Sequence, residues 1–244
     1  MLQLFKNFYQ KNKFLCFLEL ITLTLILTAA ILFYQGPALQ YVLQMLPLFI
    51  SLVVMFLQAN VNRYAFLLGG FNSILYALSY VTMTLYTSAV YAILVSFPLQ
   101  VITFINWNRK TKDNKTELKT LSGKQLLLLI AGCIVAWLLC LLIFSLLGSP
   151  YILLDNTVSI LGIVATILCM IRFSEYTFFQ IAGQIFTIAL HTQGIINQLV
   201  AGEPPSKITY LVYAIYAGIC TLMTFLNIRK QLREQKAMKK ESST

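Results

Sequence analysis

The stretch LLLLIAGCIVAWLLCLLIFSLL, residues 126–147, contains no charged residue. It has the length, about 20 residues, that a helix needs to cross roughly 30 Å of hydrocarbon. Because lipid offers no hydrogen bonds, a spanning segment must be a helix or part of a closed barrel. Barrel strands alternate polar and apolar residues over about ten positions, and this stretch does not. It therefore predicts a transmembrane α-helix.

Similar apolar runs, separated by short polar loops, occur along the whole chain. The composition agrees, since 59% of the residues are hydrophobic and only 11% are charged, against about 25% charged in a soluble domain. We therefore predict an all-α membrane protein with about eight transmembrane helices. The predicted spans are 14–34, 41–57, 64–82, 86–106, 126–147, 155–171, 175–193 and 208–227.

The lysines and arginines orient these spans. Eight spans place both termini on one side, and every basic residue except Lys207 falls on that side. Because cytoplasmic loops carry the excess of Lys and Arg, we expect both termini in the cytoplasm and a multi-pass protein of the cell membrane. The net charge of +10 then lies beside anionic headgroups and does not indicate nucleic-acid binding.

A weak internal repeat relates spans two to four to spans six to eight. TFIN at 103–106 ends the fourth span, and TFLN at 224–227 ends the eighth. The third and seventh spans each begin with a tyrosine that an amide follows at the same spacing: Tyr64 with Asn72, and Tyr176 with Gln184. With one helix between them, two three-helix units enter the membrane in the same direction, as parallel repeats do in several transporter folds.

The predicted organisation is thus a 3+1+3 plan, in which a linker helix joins two parallel three-helix repeats, with an accessory N-terminal helix. The N-terminal tail and the accessory helix cover 1–36, and the first repeat covers 37–108. The basic cytoplasmic loop and the linker helix follow at 109–150. The second repeat covers 151–228, and the basic cytoplasmic tail covers 229–244.

Polar side chains inside the spans are the candidate functional residues, because polar groups in lipid are costly unless they are paired or face water. Asn72 and Tyr76 lie on one face of the third span, and Gln180 and Gln184 on one face of the seventh. Gln100 lies in the fourth. Amides read hydrogen-bonding edges and tyrosines stack on rings, so we expect these five to line a cavity for a polar, aromatic ligand. Hydrogen bonding between helices is the alternative.

Enzymatic chemistry has little support. A single histidine and five scattered cysteines indicate no metal cluster, and no cofactor is expected. Walker, G-x-S-x-G and H-E-x-x-H motifs are all missing. Without a nucleotide-binding domain or a buried carboxylate pair, the sequence favours a passive facilitator.

Two segments resemble the PnuC family of vitamin transporters. GGFNSILY at 69–76 and LYTS at 85–88 are similar to its G-x-x-N…L-Y-A-[DS] stretch. The order of Asp155, Arg172 and Glu175 is also similar. The resemblance covers roughly residues 41–230. It implies a facilitator of nicotinamide riboside, or of thiamine, riboflavin or a deoxynucleoside, whose substrate is trapped by a cytoplasmic kinase.

This sequence departs from the family at the seventh span. The nicotinamide riboside carriers show W-x-x-W-x-x-x-N there, and the matching positions here are Thr177, Gln180 and Gln184. Stacking surface is replaced by hydrogen-bonding groups, so thiamine or a deoxynucleoside is the alternative substrate. Asp155 and Tyr176 are candidates for the outer and inner gates. Whether the protein forms a homo-oligomer stays open. The alternative from another functional class is a membrane partner subunit that does not transport.

Overall fold

The structure, a computed structural model, describes residues 12–33, 37–82, 92–112, 115–146 and 152–241. These residues form eight α-helices, at or near the predicted spans. The helices are α1 Lys13–Phe33, α2 Ala38–Ala59, α3 Tyr64–Thr82, α4 Phe97–Arg109, α5 Gly123–Leu146, α6 Ile152–Met170, α7 Tyr176–Val200 and α8 Ile208–Glu241. The LYTS segment and the predicted start of the fourth span lie outside the described residues.

The helices pack into a closed ring of six. Going around the ring, α2 packs on α3, α3 on α4, α4 on α6, α6 on α7, α7 on α8, and α8 on α2. Each predicted three-helix unit thus supplies one continuous arc, α2–α4 or α6–α8. The two arcs meet at two seams, where α4 packs on α6 and α8 packs on α2. A symmetry relation between the arcs stays a prediction.

The remaining two helices lie outside this ring. α1 packs mainly on α8, and α5 packs on α6. Leu127, Leu128, Leu138 and Leu142 of α5 are all exposed, as lipid-facing side chains are in a membrane helix. Of the described helices, five are long and apolar enough to cross a membrane by themselves, namely α1, α2, α5, α6 and α8. The chain is therefore a multi-pass membrane protein.

The loops after α2, α4 and α6 meet the second half of α8 at one end of the ring, which we call the basic end. Two short strands, β1 Thr111–Lys112 and β2 Lys115–Thr116, pair antiparallel there. Buried Gln231 donates a hydrogen bond of 2.7 Å to the Thr116 carbonyl, and Gln235 donates another of 2.9 Å. A core that includes Phe66, Trp107 and Leu232 fills the space between them.

The eighth helix is longer than predicted. The sequence predicts that this span ends at 227 and that a basic tail follows it. In the structure, α8 continues to Glu241. Gln, Lys, Arg, Glu and Ala, which make up most of this segment, are all good helix formers. The tail is therefore part of the fold and packs on the basic loop.

A π-helical turn precedes α4. It covers Ala92–Ser96, and Pro98 occupies the first turn of the α-helix that follows. Proline has no backbone N–H to donate and crowds the preceding turn of the helix. Pro98 therefore explains the irregular turn at this position. The Ser96 hydroxyl hydrogen-bonds the Ser73 hydroxyl at 2.8 Å and so ties this turn to α3.

Candidate functional site

Asn72 and Tyr76 join a polar network between α2 and α3. The Asn72 amide nitrogen donates to the Pro47 carbonyl at 3.0 Å and to the Ser51 hydroxyl at 2.8 Å. The Tyr76 and Ser51 hydroxyls are 3.1 Å apart. Tyr213 of α8 also lies close to Ser51. Because Asn72 and Ser51 are buried, these hydrogen bonds hold the amide in one orientation.

Gln100 of α4 lies across the glycine pair of α3. A Cβ placed on Gly69 would be 3.4 Å from the amide carbon of Gln100, and one on Gly70 would be 3.5 Å from the Gln100 Cβ. Gly69 also precedes Asn72 by less than one helical turn. Gln100 therefore packs on α3 from the α4 side, less than one turn before Asn72, whereas Asn72 and Tyr76 hydrogen-bond toward α2.

Gln180 and Gln184 form a second group, on α7 in the other arc of the ring. A Cβ built on Gly218 of α8 would lie 4.0 Å from the Gln184 Cβ, so the base of the Gln184 side chain lies at the α7–α8 contact. Gly183, the preceding residue, faces Leu161 of α6. One helical turn after Gln184, Ile188 also meets Gly218. The structure therefore does not join the five predicted contact residues into one described cluster.

Buried acceptor atoms distinguish one residue of each group. Among the described residues, four buried side-chain oxygens accept no hydrogen bond: Asn72 Oδ1 and Gln184 Oε1 in these two groups, and Asn156 Oδ1 and Glu175 Oε2 outside them. Most buried polar atoms in folded proteins are paired, and an unpaired one costs about 1–3 kcal/mol. Asn72 keeps its oxygen unpaired although its nitrogen makes two hydrogen bonds. The oxygens of Asn72 and Gln184 are therefore suited to accept from a donor that a ligand brings.

The two candidate gates differ in their surroundings. Asp155 is exposed in the first turn of α6, where a negative charge interacts favourably with the helix dipole. Tyr176 is 3% exposed and begins α7 at the basic end. Its ring meets Trp107 edge to face, with 6.3 Å between the centroids. Tyr176 thus closes the basic end as part of a packed aromatic core, and its role as a gate stays a prediction.

Among the described residues, other parts of the helices enclose further cavities, including the following three. One of about 410 Å³ lies at the end opposite the basic end, among α1, α2, α7 and α8, and its lining includes Gln44, Gln198 and Glu203. An apolar groove of about 230 Å³ separates α5 from α6. A third, of about 280 Å³, lies at the basic end. None of these three is lined by the five predicted contact residues.

Sequence reasoning missed Ser51 and Pro47, and it noted Ser73 only as a polar residue of the third span. Ser51 also donates to the Pro47 carbonyl at 2.9 Å, and Ser73 donates to the Gly69 carbonyl at 3.1 Å. A serine four residues after a proline in an apolar span is the only signal that could have indicated this network. The hydrogen bonds of Asn72 with Ser51 and of Ser73 with Ser96 show that some polar groups of these spans do pair between helices, as the alternative interpretation holds.

Comparison with known proteins agrees with this architecture. The nicotinamide mononucleotide transporter family profile matches residues 41–226. Among solved structures, the crystal structure of the vitamin B3 transporter PnuC has the same fold, with a TM-score of 0.64 and 22% sequence identity. The alignment covers 89% of this chain and 92% of that one. No curated protein sequence matches the chain. The matched segment contains the ring of six helices except the first residues of α2 and the part of α8 beyond residue 226, and the chain belongs to the nicotinamide mononucleotide transporter family.

Proposed function

We propose that this chain is a facilitator that imports nicotinamide riboside, or a closely similar nucleoside-like vitamin precursor, across the cell membrane. In this proposal the ligand passes through the ring of six helices. Asn72, Tyr76 and Gln100 contact it from the first arc, and Gln180 and Gln184 contact it from the second. Both termini and the basic end lie in the cytoplasm, where phosphorylation by a kinase traps the ligand.

The buried acceptor oxygens of Asn72 and Gln184 are the observation that carries the proposal. They need hydrogen-bond donors, and the hydroxyls of a ribose and the N–H groups of a carboxamide supply them. Amides have no net charge, so they bind such a ligand and release it without the large desolvation cost of a buried ion pair. A facilitator needs this modest affinity, because its ligand must also leave.

The amides of α7 favour thiamine or a deoxynucleoside as the second candidate. Thr177 and Gln180 stand where the nicotinamide riboside carriers of the family have tryptophans, so ring stacking from α7 is reduced. A pyrimidine presents several donors and acceptors on its edge, and Gln180 can pair with them. The pyrimidine ring of thiamine or the base of a deoxynucleoside therefore fits the changed face at least as well.

The experiment that tests both candidates is thermal unfolding of the purified protein against a panel of ligands. A ligand that binds only the folded state raises Tm by linkage. The panel contains nicotinamide riboside, nicotinamide, thiamine, riboflavin and several nucleosides and deoxynucleosides. A shift with nicotinamide riboside supports the first candidate, whereas a shift with thiamine or a deoxynucleoside alone supports the second.

Uptake into liposomes then separates a transporter from a membrane partner that only binds. The ligand that shifts Tm is added outside vesicles that contain the protein, with empty vesicles as the control. Entry that stops when inside and outside concentrations are equal supports facilitated diffusion. No entry of any bound ligand would contradict the proposed function.

A further inference from the structure

The cavity at the basic end differs from the other two in its charge. Its described lining residues are Asn106, Arg109, Lys110, Lys119, Met170, Ile171 and Arg172. Four of these are cationic, and none is acidic. The cavity of about 280 Å³ is several times the roughly 30 Å³ that one water occupies in the liquid. It has room for an anion together with some of its hydration.

Three separate segments bring the four cations together. Arg109 and Lys110 end α4, Lys119 follows the β1–β2 hairpin, and Arg172 follows α6. Backbone hydrogen bonds fix the last two segments against each other, because the Lys119 N–H donates to the Arg172 carbonyl at 2.9 Å and the Ser174 N–H donates to the Lys119 carbonyl at 2.9 Å. The cations are therefore brought together by the fold, although they lie in three separate segments of the chain.

Among the described residues, two of the cations make side-chain contacts with uncharged groups. Arg172 donates from one guanidinium nitrogen to the Glu117 carbonyl oxygen at 2.9 Å, which leaves its other N–H groups for further partners. The Lys119 ammonium lies 6.0 Å from the centre of the Phe173 ring. A backbone carbonyl and an aromatic ring carry no negative charge, so the positive potential of the cavity is kept.

Four cations around one concave space are suited to a phosphate group. Guanidinium groups match phosphate oxygens with two parallel hydrogen bonds, and lysine adds a point charge. The surface potential that attracts cytoplasmic basic residues to lipid would act on any such loop. That attraction alone does not explain why these residues enclose a cavity, or why hydrogen bonds hold the cavity in shape.

We propose that this cavity is a binding site for a phosphate monoester or diester, independent of the transport site. The bound phosphate connects the end of α4 with the loop that follows α6. It lies beside the hydrogen bond of 3.2 Å from the Asn106 amide to the Met170 carbonyl, so occupancy stabilises the α4–α6 seam. The phosphate comes either from a soluble ester or from the headgroup of an anionic lipid.

Thermal unfolding with ribose 5-phosphate as the probe tests the soluble source. Purified protein in an uncharged detergent is titrated at constant ionic strength, because added salt alone screens exposed charges. The test variant Arg109→Gln/Lys119→Gln removes two lining cations. The matched control Arg233→Gln/Lys236→Gln removes one arginine and one lysine that are exposed on α8 and do not line the cavity.

We expect a saturable rise in Tm for the natural sequence and for the control variant. In the test variant we expect the apparent Kd to weaken about tenfold or more, which corresponds to the loss of one charge-assisted hydrogen bond. If the double variant does not fold, Lys119→Gln alone replaces it, since that side chain is exposed.

Nanodiscs test the lipid source. The same variants are compared in phosphatidylcholine alone and in phosphatidylcholine with phosphatidylglycerol. The site is assigned to a lipid headgroup if Tm rises only with phosphatidylglycerol and the test variant loses this rise. Ribose 5-phosphate should then cause no rise. No rise with either probe, or an equal loss in test and control variants, would overturn the proposal. Neither arm uses a transport substrate, so the result does not depend on the proposed function.

Discussion

Asn227 makes at one seam of the ring the same hydrogen bond that Asn106 makes at the other. The Asn106 amide donates to the carbonyl of Met170, the last residue of α6. The Asn227 amide donates at 2.7 Å to the carbonyl of Ala59, the last residue of α2. Each asparagine thus satisfies a carbonyl that a helix end leaves without an intrahelical partner. These asparagines end the matched TFIN and TFLN motifs.

The helix ends that receive these hydrogen bonds are also alike. Val61 and Arg172 each lie two residues beyond the end of α2 or α6, and both have positive φ angles, 53° and 67°. In each case the following residue donates its N–H back into the last turn, from Asn62 to Leu57 and from Phe173 to Leu168, as in a Schellman motif. The two arcs therefore close with the same local structure.

Removing the seam asparagines is expected to destabilise the protein without affecting any of the five predicted contacts with the transported ligand. Asn106→Ala and Asn227→Ala should each lower the free energy of unfolding by about 1 kcal/mol, because one hydrogen bond is lost at a helix end. The two effects should add in the double variant, since the seams are separate. Thermal unfolding in detergent measures this. The control is Asn108→Ala, which changes an exposed asparagine of α4 and should leave Tm unchanged.

Replacing Gln184 is expected to weaken ligand binding and leave folding intact. Its amide oxygen accepts no hydrogen bond from the described residues, so Gln184→Ala removes an unpaired acceptor while keeping the Cβ that packs near Gly218. We expect the Kd of the transported ligand to rise about tenfold, as the loss of one hydrogen bond predicts. Titration by thermal shift or calorimetry measures it. Gln193→Ala, an exposed position on the same helix, is the control, and unchanged affinity in Gln184→Ala would reject the pocket assignment.

Replacing Asn72 is expected to affect both stability and binding. Asn72→Ala removes two hydrogen bonds to α2 and leaves the Pro47 carbonyl and the Ser51 hydroxyl with one partner fewer. We expect the free energy of unfolding to fall by about 1–3 kcal/mol, together with weaker binding. Ser51→Ala should reproduce the loss of Tm to a smaller degree and retain more affinity. An Asn72→Ala protein with unaltered Tm would show that the network does not stabilise the α2–α3 contact.

A methyl group at Gly69 is expected to move the Gln100 amide. The new Cβ would lie 3.4 Å from the amide carbon and oxygen of Gln100, at the tight limit of van der Waals contact, and we expect the flexible end of that side chain to shift slightly. Gly69→Ala should therefore weaken ligand binding severalfold while helix propensity rises. Gly162→Ala is the control, because nothing lies within 4 Å of a Cβ at that position. Equal affinities in the two variants would argue against Gln100 as a ligand contact.

Much of the fold follows from the sequence because hydrophobic length and charge asymmetry act locally. The first span was predicted at 14–34 and α1 covers Lys13–Phe33, while α5 and α6 begin three residues before their predicted spans. Family membership was predicted from GGFNSILY and is confirmed by the profile match. By contrast, the seventh span was predicted to end at 193, whereas α7 continues to Val200.

The site was harder to predict because its geometry depends on contacts between distant residues. The stripe of amides on α7 is visible as a 3.6-residue period, but nothing local indicates that Asn72 binds the Pro47 carbonyl. The sequence predicts the four cations of the basic cavity mainly as part of the excess of Lys and Arg on the cytoplasmic side. Arg109 and Arg172 are far apart in sequence, so their meeting depends on the α4–α6 seam, which no local pattern encodes.

The polarity of α7 has a consequence for how the protein is made. α7 is absent from the five helices that are apolar enough to enter a bilayer by themselves, and its amides and histidine disfavour release into lipid as a single segment. α6 and α8, which flank it in the chain and in the ring, are both among those five. We therefore expect α7 to enter the membrane together with its apolar neighbours α6 and α8, and not as a single segment.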